Sequence, residues 1–463
     1  MKIILSHGYF LKEDPRELEI MKPYVPLGIL YISAWLEKNG FENDVYDSTF
    51  SSFEKFCENL LTKKPQLLCL YTNLMTKLNI LKIIDFVKNE PLLSNTKIIL
   101  GGPEVRNHDE AFLNYGAHII VVGEGEQTML DICLHFIDGQ FNISEIESIC
   151  YKEDGKIIRT KERSKIRSID ELPFPNRHKV DLQKYFDAWK SKHGISSISL
   201  STMRGCPYTC NWCSRAVYGQ SYRRRSPKLV VDEIIEVQKN YKFDSIWFVD
   251  DVFTISHKWL AEFNHEINSR QVKINFECIT RADRLTEEAL LMLKESGCMR
   301  VWIGAESGSQ KIIDAMDRRV DVKQVRRMLI AAKKMGIQTG TFIMLGYPGE
   351  NIEDIEETIK HLTESDPDLY TITIAYPIKG TQLYNQTESN FINQLPWHNS
   401  TDRQIDFKRT HHKKFYEMAI RLIYNEVKLH KLKKENFGQT KNMMVTYAKI
   451  KAARLLMKTY QLF

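Results

Sequence analysis

Strand-like and helix-like patterns alternate twice along this chain of 463 residues, first from Lys2 to Phe136 and again from Ile195 to Ile374. Alternation of this kind demands parallel sheets with helical crossovers, and it places ligand-binding loops at the carboxyl ends of the strands. In the first run, apolar segments at Lys2–Ser6, Asn43–Tyr46, Gln66–Tyr71, Lys97–Leu100 and His118–Val122 read as strands. Helical spacing predicts helices over Leu27–Asn39, Phe53–Thr62, Leu78–Asn89 and Thr128–Phe136. Ser148–Arg159 carries Asp154-Gly155 at its centre and reads as a β-hairpin. Leu172-Pro173-Phe174-Pro175 then breaks the pattern with a stiff, non-helical crossing.

In the second run six strands are expected: Ile195–Leu200, Asp244–Val249, Lys273–Cys278, Met299–Ile303, Gln338–Met344 and Leu369–Ile374. Polar or glycine-rich clusters follow them: Asp250-Asp251, Thr280-Arg281-Ala282-Asp283, Gly304-Ala305-Glu306-Ser307-Gly308, Gly346-Tyr347-Pro348-Gly349 and Tyr376-Pro377. Six such units predict a partial (β/α) barrel with its active site at that rim. Past Tyr384 the strand signal stops, and two helical patterns around Phe415–Ile423 and Tyr447–Ala453 form either a cap on the barrel or a lid over its substrate.

Cys206, Cys210 and Cys213 follow the first barrel strand, on a Gly-Cys-Pro turn. Three thiols so close suit one metal cluster rather than disulfides, and three ligands on a four-iron cluster leave one iron open. Zinc would want a fourth protein ligand, for which His178 or His193 are the nearest proposals. Cysteines 57, 69, 133, 150, 278 and 298 fall mostly in predicted strands and helices and read as core. Nine cysteines without a paired pattern fit a reducing cytoplasm. No apolar run approaches the roughly 18–20 residues that span a bilayer.

The spacing Cys206-x3-Cys210-x2-Cys213, with Trp212 before the third cysteine, resembles the radical S-adenosylmethionine (radical SAM) superfamily. The resemblance implies a 4Fe-4S cluster whose open iron chelates SAM and cleaves it reductively to a 5′-deoxyadenosyl radical. It also implies an electron donor such as flavodoxin or ferredoxin, and a small-molecule or natural-product substrate. Carried over by strand-end position, it assigns Glu306, with Ser307, to the ribose, Arg281 to the SAM carboxylate, Asp250 or Asp251 to the ammonium, and backbone near Gly346 and Tyr376 to adenine. Trp212 packs beside the cluster or the adenine, or simply fills core. For the charged residues an ordinary structural salt bridge is the competing reading. His257 reads as a helix start.

Three upstream stretches resemble the cobalamin-binding domain of one branch of that superfamily: Tyr24-Val25-Pro26-Leu27-Gly28-Ile29-Leu30, Gly101-Gly102-Pro103-Glu104 and Val122-Gly123-Glu124-Gly125-Glu126. Cobalamin is the cofactor this implies. The Asp-x-His-x-x-Gly pattern that supplies a histidine to cobalt elsewhere is absent, and Glu104 stands where relatives often carry His. Both departures leave open a domain that keeps the fold without the ligand.

The expected architecture is therefore α/β: a doubly wound, Rossmann-like cobalamin-type domain over 1–165, a linker over 166–194, a partial (β/α)6 radical SAM barrel over 195–384 and a helical cap over 385–463. The implied activity is methyl transfer to an unactivated carbon. Radical cyclisation or rearrangement, and a cobalamin or iron–sulfur sensor without turnover, are the alternatives. From Lys408 to Phe463 there are 14 Lys and Arg against three Asp and Glu. That basic tail is either the solvated face of a helix or a surface for an acidic substrate, a nucleic acid or a membrane; of these, no nucleic acid is expected.

Overall fold

Ile3–His7 (β1) is buried along its whole length, as a strand covered on both faces must be, and the N-terminal sheet grows outward from it. The computed structural model describes residues 2–138, 142–393, 395–434 and 440–461. Its contacts divide the chain into two compact units, one of residues 1–207, 214–247 and 395–404, the other of 208–213, 248–394 and 405–463.

In the first unit, Asp44–Tyr46 (β2), Leu67–Tyr71 (β3), Lys97–Gly101 (β4) and Ile119–Val121 (β5) join β1 in the order β2-β1-β3-β4-β5, all parallel. Helices cover both faces. Phe56, Ile80, Ile84 and Phe112 pack on one side, and Ile29, Leu36, Met129 and Ile132 on the other. The sheet is thus doubly wound, with its order reversing between β1 and β3, where open α/β sheets bind ligands. Ile149–Glu153 (β6) and Lys156–Arg159 (β7) form the expected hairpin. Both Asp154 and Gly155 have positive φ, 48° and 78°, which suits the right-handed twist of a two-residue hairpin. Where the hairpin goes was not legible: β6 pairs antiparallel with β5 and extends the sheet.

Ser197–Leu200 (β8) opens the second run. Met203–Arg204 (β9) pairs antiparallel with Arg223–Arg224 (β10), a two-residue stem that closes the cysteine loop and that no periodicity announces. Ser245–Phe248 (β11), Phe276–Thr280 (β12), Cys298–Glu306 (β13), Gln338–Leu345 (β14) and Leu369–Ile374 (β15) follow, and β12 to β15 pair successively in parallel. The sheet runs β15-β14-β13-β12-β11-β8, the six strands of a partial barrel. Two strands differ from expectation by three residues. β12 starts three residues late, because Gln271 turns through positive φ and the Val272 N–H bonds back to Ile267 O, so the following residues only cross to the sheet. β13 runs three residues further, since its pairing with β14 continues through a bulge between Gly304 and Glu306.

The helical C-terminal region consists of Lys413–Lys434 and Thr440–Gln461, packed on each other. Among the described residues no helix is long and apolar enough to cross a membrane.

Candidate functional site

The cysteine loop is built from its stem. Gly205 has φ +82°, and a Cβ there would lie 2.4 Å from Ser221 Oγ and 2.6 Å from Ser221 O, so only glycine fits before Cys206. Cys206 is bridged to Gln220, whose Nε2 donates to Pro207 O at 3.0 Å. Arg204 and Arg223 face each other across the stem, an arrangement that like charges disfavour. Carboxylates resolve it. Glu124 accepts from Arg204 Nη1 at 2.9 Å and from Arg223 Nη1 at 2.7 Å, and Glu126 accepts from Arg204 Nη2. All four side chains are largely buried. Burial opposes the Glu124 carboxylate, but the bonds from Arg223 and Arg204 outweigh it and hold its pKa below the usual range. The returning limb is tied to the same unit: Arg106 Nε donates to Ala216 O at 2.6 Å.

In the second unit, the segment Tyr208–Cys213 is anchored by backbone. Asn211 N–H donates to Met316 O at 3.0 Å, and Leu383 N–H donates to Asn211 O at 2.8 Å. Cys210 is buried, and Arg281 Nη1 approaches its Sγ at 3.7 Å. That guanidinium is held from three further directions: Nε donates to Asp283 at 2.8 Å, Nη2 to Arg318 O at 2.7 Å, and its plane lies 3.7 Å from the Tyr208 ring centroid. These bonds and the Cys210 contact engage three of its five N–H donors, leaving one on each terminal nitrogen for the carboxylate that the resemblance implies. Trp212 packs with Ile312, Met316, Tyr347 and Leu383, and Arg318 lies over its ring at 5.6 Å.

Glu306 occupies the bulge of β13 with φ +67°, a costly conformation for a residue with a side chain. Burial raises its carboxyl, opposed by Arg318 and Arg281. Arg318 Nη1 is 3.4 Å from Glu306, Nη2 donates to Gly304 O at 2.7 Å, and its buried Nε has no partner. Ser307 caps the turn by accepting from Ser309 N–H at 3.1 Å. Gly346 has φ +75°, and its N–H donates to Glu350 at 2.5 Å. Glu350 is fully buried; burial pushes its carboxyl up to about 8 despite that bond. Asp250 is buried, while Tyr376 is half-buried beyond β15. His257 opens the helix His257–Ser269.

On the N-terminal sheet, Gly102 has φ +104°, and a Cβ there would strike Thr72 O at 2.4 Å, so the Gly101-Gly102-Pro103 turn packs backbone against the end of β3. Gly123 follows β5 at φ +91°, and Gly125 packs on Ile32. Pro26 precedes the helix Leu27–Lys38, where Gly28 faces open space. Sequence reasoning missed Arg204, Arg223, Arg318 and Tyr208, and took Glu126 only as the end of a glycine-rich stretch. The run Arg223-Arg224-Arg225 was visible, but Glu124, the carboxylate partner of Arg223, lies 99 residues away in the chain, while Arg225 pairs locally with Glu233. Also missed was Trp397, which packs on Phe112 and lies 4.5 Å from Lys77 Nζ.

A doubly wound sheet with glycine turns at its strand ends, followed by a six-stranded partial barrel whose first loop carries three cysteines, defines a radical SAM enzyme with a B12-binding domain. The chain carries both domains: residues 200–362 match the radical SAM superfamily model and residues 19–132 the B12 binding domain model. It is similar to a protein of Pyrococcus horikoshii named as an uncharacterized methyltransferase, 28% identical over 376 residues and 79% of each chain. It is also similar to the anaerobic magnesium-protoporphyrin IX monomethyl ester cyclase of Rubrivivax gelatinosus, 30% identical over 58% of this chain and 48% of that one. In fold it resembles the cobalamin-dependent S-adenosylmethionine radical enzyme OxsB with aqua-cobalamin bound, with a TM-score of 0.74 at 17% identity over 98% of this chain and 71% of the other.

The cofactors of this class are a 4Fe-4S cluster, SAM and cobalamin. The cysteine loop fits the cluster. The cysteines are free of disulfides, and a guanidinium N–H points at one of their sulfurs, as suits an anionic thiolate ligand. Among the described residues no three His, Cys, Asp or Glu side chains converge as a single-ion site requires. A four-iron cluster spaces its thiolates more widely.

Proposed function

We propose that this enzyme transfers a methyl group to an unactivated carbon of a small-molecule substrate. The observation that carries the reading is that both domain models match one chain whose similarity to a protein named as a methyltransferase extends over four-fifths of each. When bound, the cluster and SAM supply a hydrogen-abstracting radical and cobalamin supplies the methyl group.

The chain's own residues bind, orient and shield. In this reading Cys206, Cys210 and Cys213 ligate the cluster. Glu306, fixed in a strained bulge and flanked by Arg318, accepts from the ribose hydroxyls. Asp250 or Asp251 takes the SAM ammonium. Arg318, with a buried Nε lacking a partner, takes the carboxylate role first expected of Arg281. The Gly346 N–H already serves Glu350, so adenine is left to the backbone near Tyr376. Pro26, Leu27, Gly28, the Gly101–Pro103 turn and the glycines at 123 and 125 admit the corrin, while Glu124 is committed to the cysteine-loop stem. The functional boundaries proposed are 1–165, 195–384 and 385–463. A ferredoxin or flavodoxin serves as electron donor, and the enzyme works in the cytoplasm.

The test is anaerobic reconstitution with iron, sulfide and hydroxocobalamin, followed by SAM and reductant. S-adenosylhomocysteine formed alongside 5′-deoxyadenosine is the expected result, and Cys210→Ala should abolish the 5′-deoxyadenosine. A second reading, radical cyclisation, draws support from the 30% identity to the porphyrin cyclase. It predicts 5′-deoxyadenosine without stoichiometric S-adenosylhomocysteine.

A further inference from the structure

The helix Thr440–Gln461 has two unlike faces. Thr446, Ile450, Ala453 and Met457, at helical spacing, are buried. The opposite side meets solvent with apolar side chains set among lysines: Met444 is 68% exposed and Leu455 67%, beside exposed Lys441 and Lys451, with Val445, Tyr447 and Leu456 also exposed on its flanks. A face of this kind marks a place where something else is met. Its charge says what. The helix contains no acidic residue. Lys441, Lys449, Lys451 and Lys458 are exposed on it, and none stands within 4 Å of a carboxylate among the described residues. The remaining cation, Arg454, is committed to Glu356 and Glu426.

We propose that this helix is a peripheral membrane-docking surface that lies on an anionic lipid bilayer. This rests on observations independent of the function proposed above. An apolar crest between lysines is the pattern of an interfacial helix: the crest enters the headgroup–acyl boundary, while long lysine stems reach back to phosphates. Tyr447, with Lys451 Nζ 4.9 Å from its ring, has the amphipathic shape favoured at that depth. A nucleic acid would meet the lysines but leave Met444 and Leu455 against phosphate and water, which disfavours it. The docking is reversible, since one amphipathic helix without a lipid anchor gives modest affinity.

The test is vesicle flotation of the reconstituted full chain. Vesicles of phosphatidylcholine mixed with phosphatidylglycerol should carry the protein upward at low salt, and vesicles of phosphatidylcholine alone should not. Met444→Glu with Leu455→Glu should abolish flotation while leaving the thermal midpoint and uncoupled SAM cleavage unchanged, because both side chains are already in solvent. Replacing the four lysines with Gln should weaken binding by about fivefold per lysine and remove its salt dependence. Equal flotation with neutral lipid, or none with anionic lipid, overturns the proposal. So does a dimer in size-exclusion chromatography that the Leu455→Glu variant converts to monomer, since a second copy would then be the occupant.

Discussion

Replacing Glu124 with Gln tests whether the stem of the cysteine loop depends on the Gly123–Glu126 turn. Among the described residues Glu124 is the one carboxylate shared by Arg204 and Arg223, which stand opposite each other in β9 and β10. Removing one partner from a buried ion pair costs about 3–5 kcal/mol. Arg204 keeps Glu126, Arg223 keeps a bond to Ile166 O at 2.7 Å, and the glutamine oxygen still accepts one N–H. The low end, about 3 kcal/mol, is therefore expected. That is roughly a hundredfold rise in opening of the stem. Hydrogen exchange of the amides at 203–204 and 223–224 should accelerate by that factor, and iron retained per chain after desalting should fall. The effect is pH-dependent with a definite sign. The folded pKa of Glu124 lies below its unfolded value, so its contribution is present above the unfolded carboxylate range and is lost as pH falls through the depressed folded value. Parent and variant should converge in acid. Unchanged stem exchange at neutral pH, with the variant folded, would refute the reasoning.

Three further outcomes follow from the same geometry. Arg281→Gln removes the cationic N–H from Cys210 and should make the cluster harder to reduce, by about 60 mV for a tenfold change in the one-electron equilibrium, read by potentiometric EPR titration. Glu350 has a folded pKa of about 8, above its unfolded value of 4.5, so the parent loses stability as pH rises between them; Glu350→Gln should flatten that slope in urea melts at pH 5 and pH 8. Gly102→Ala places a Cβ 2.4 Å from Thr72 O at positive φ and should destabilise the N-terminal unit by about 2–4 kcal/mol, seen as weaker hydroxocobalamin retention and a lower melting midpoint.

Much was decided by the sequence alone. Apolar runs at strand length, helical periodicity between them, and glycines or prolines at the ends are local properties, and they named the parallel strands of both sheets to within a few residues. The Asp154-Gly155 hairpin was equally local, because its two positive φ values belong to the turn residues themselves. The cysteine triplet could be proposed as a ligand set from the sequence because its three members lie within eight residues of chain. Tertiary structure decided what depends on distant partners. The hairpin's seat beside β5, the extension of β13 through its bulge to a strained Glu306, and the stem of the cysteine loop all arise from pairing between remote segments. The same holds for charge. Glu124 read as a residue at a ligand-binding turn and Arg281 as a carboxylate clamp, because a sequence shows which donors exist but not where they go. In the fold one neutralises two facing arginines of the loop stem, and the other braces the sulfur of Cys210. A buried charge must find its counter-charge or its hydrogen bonds wherever the folded chain brings them.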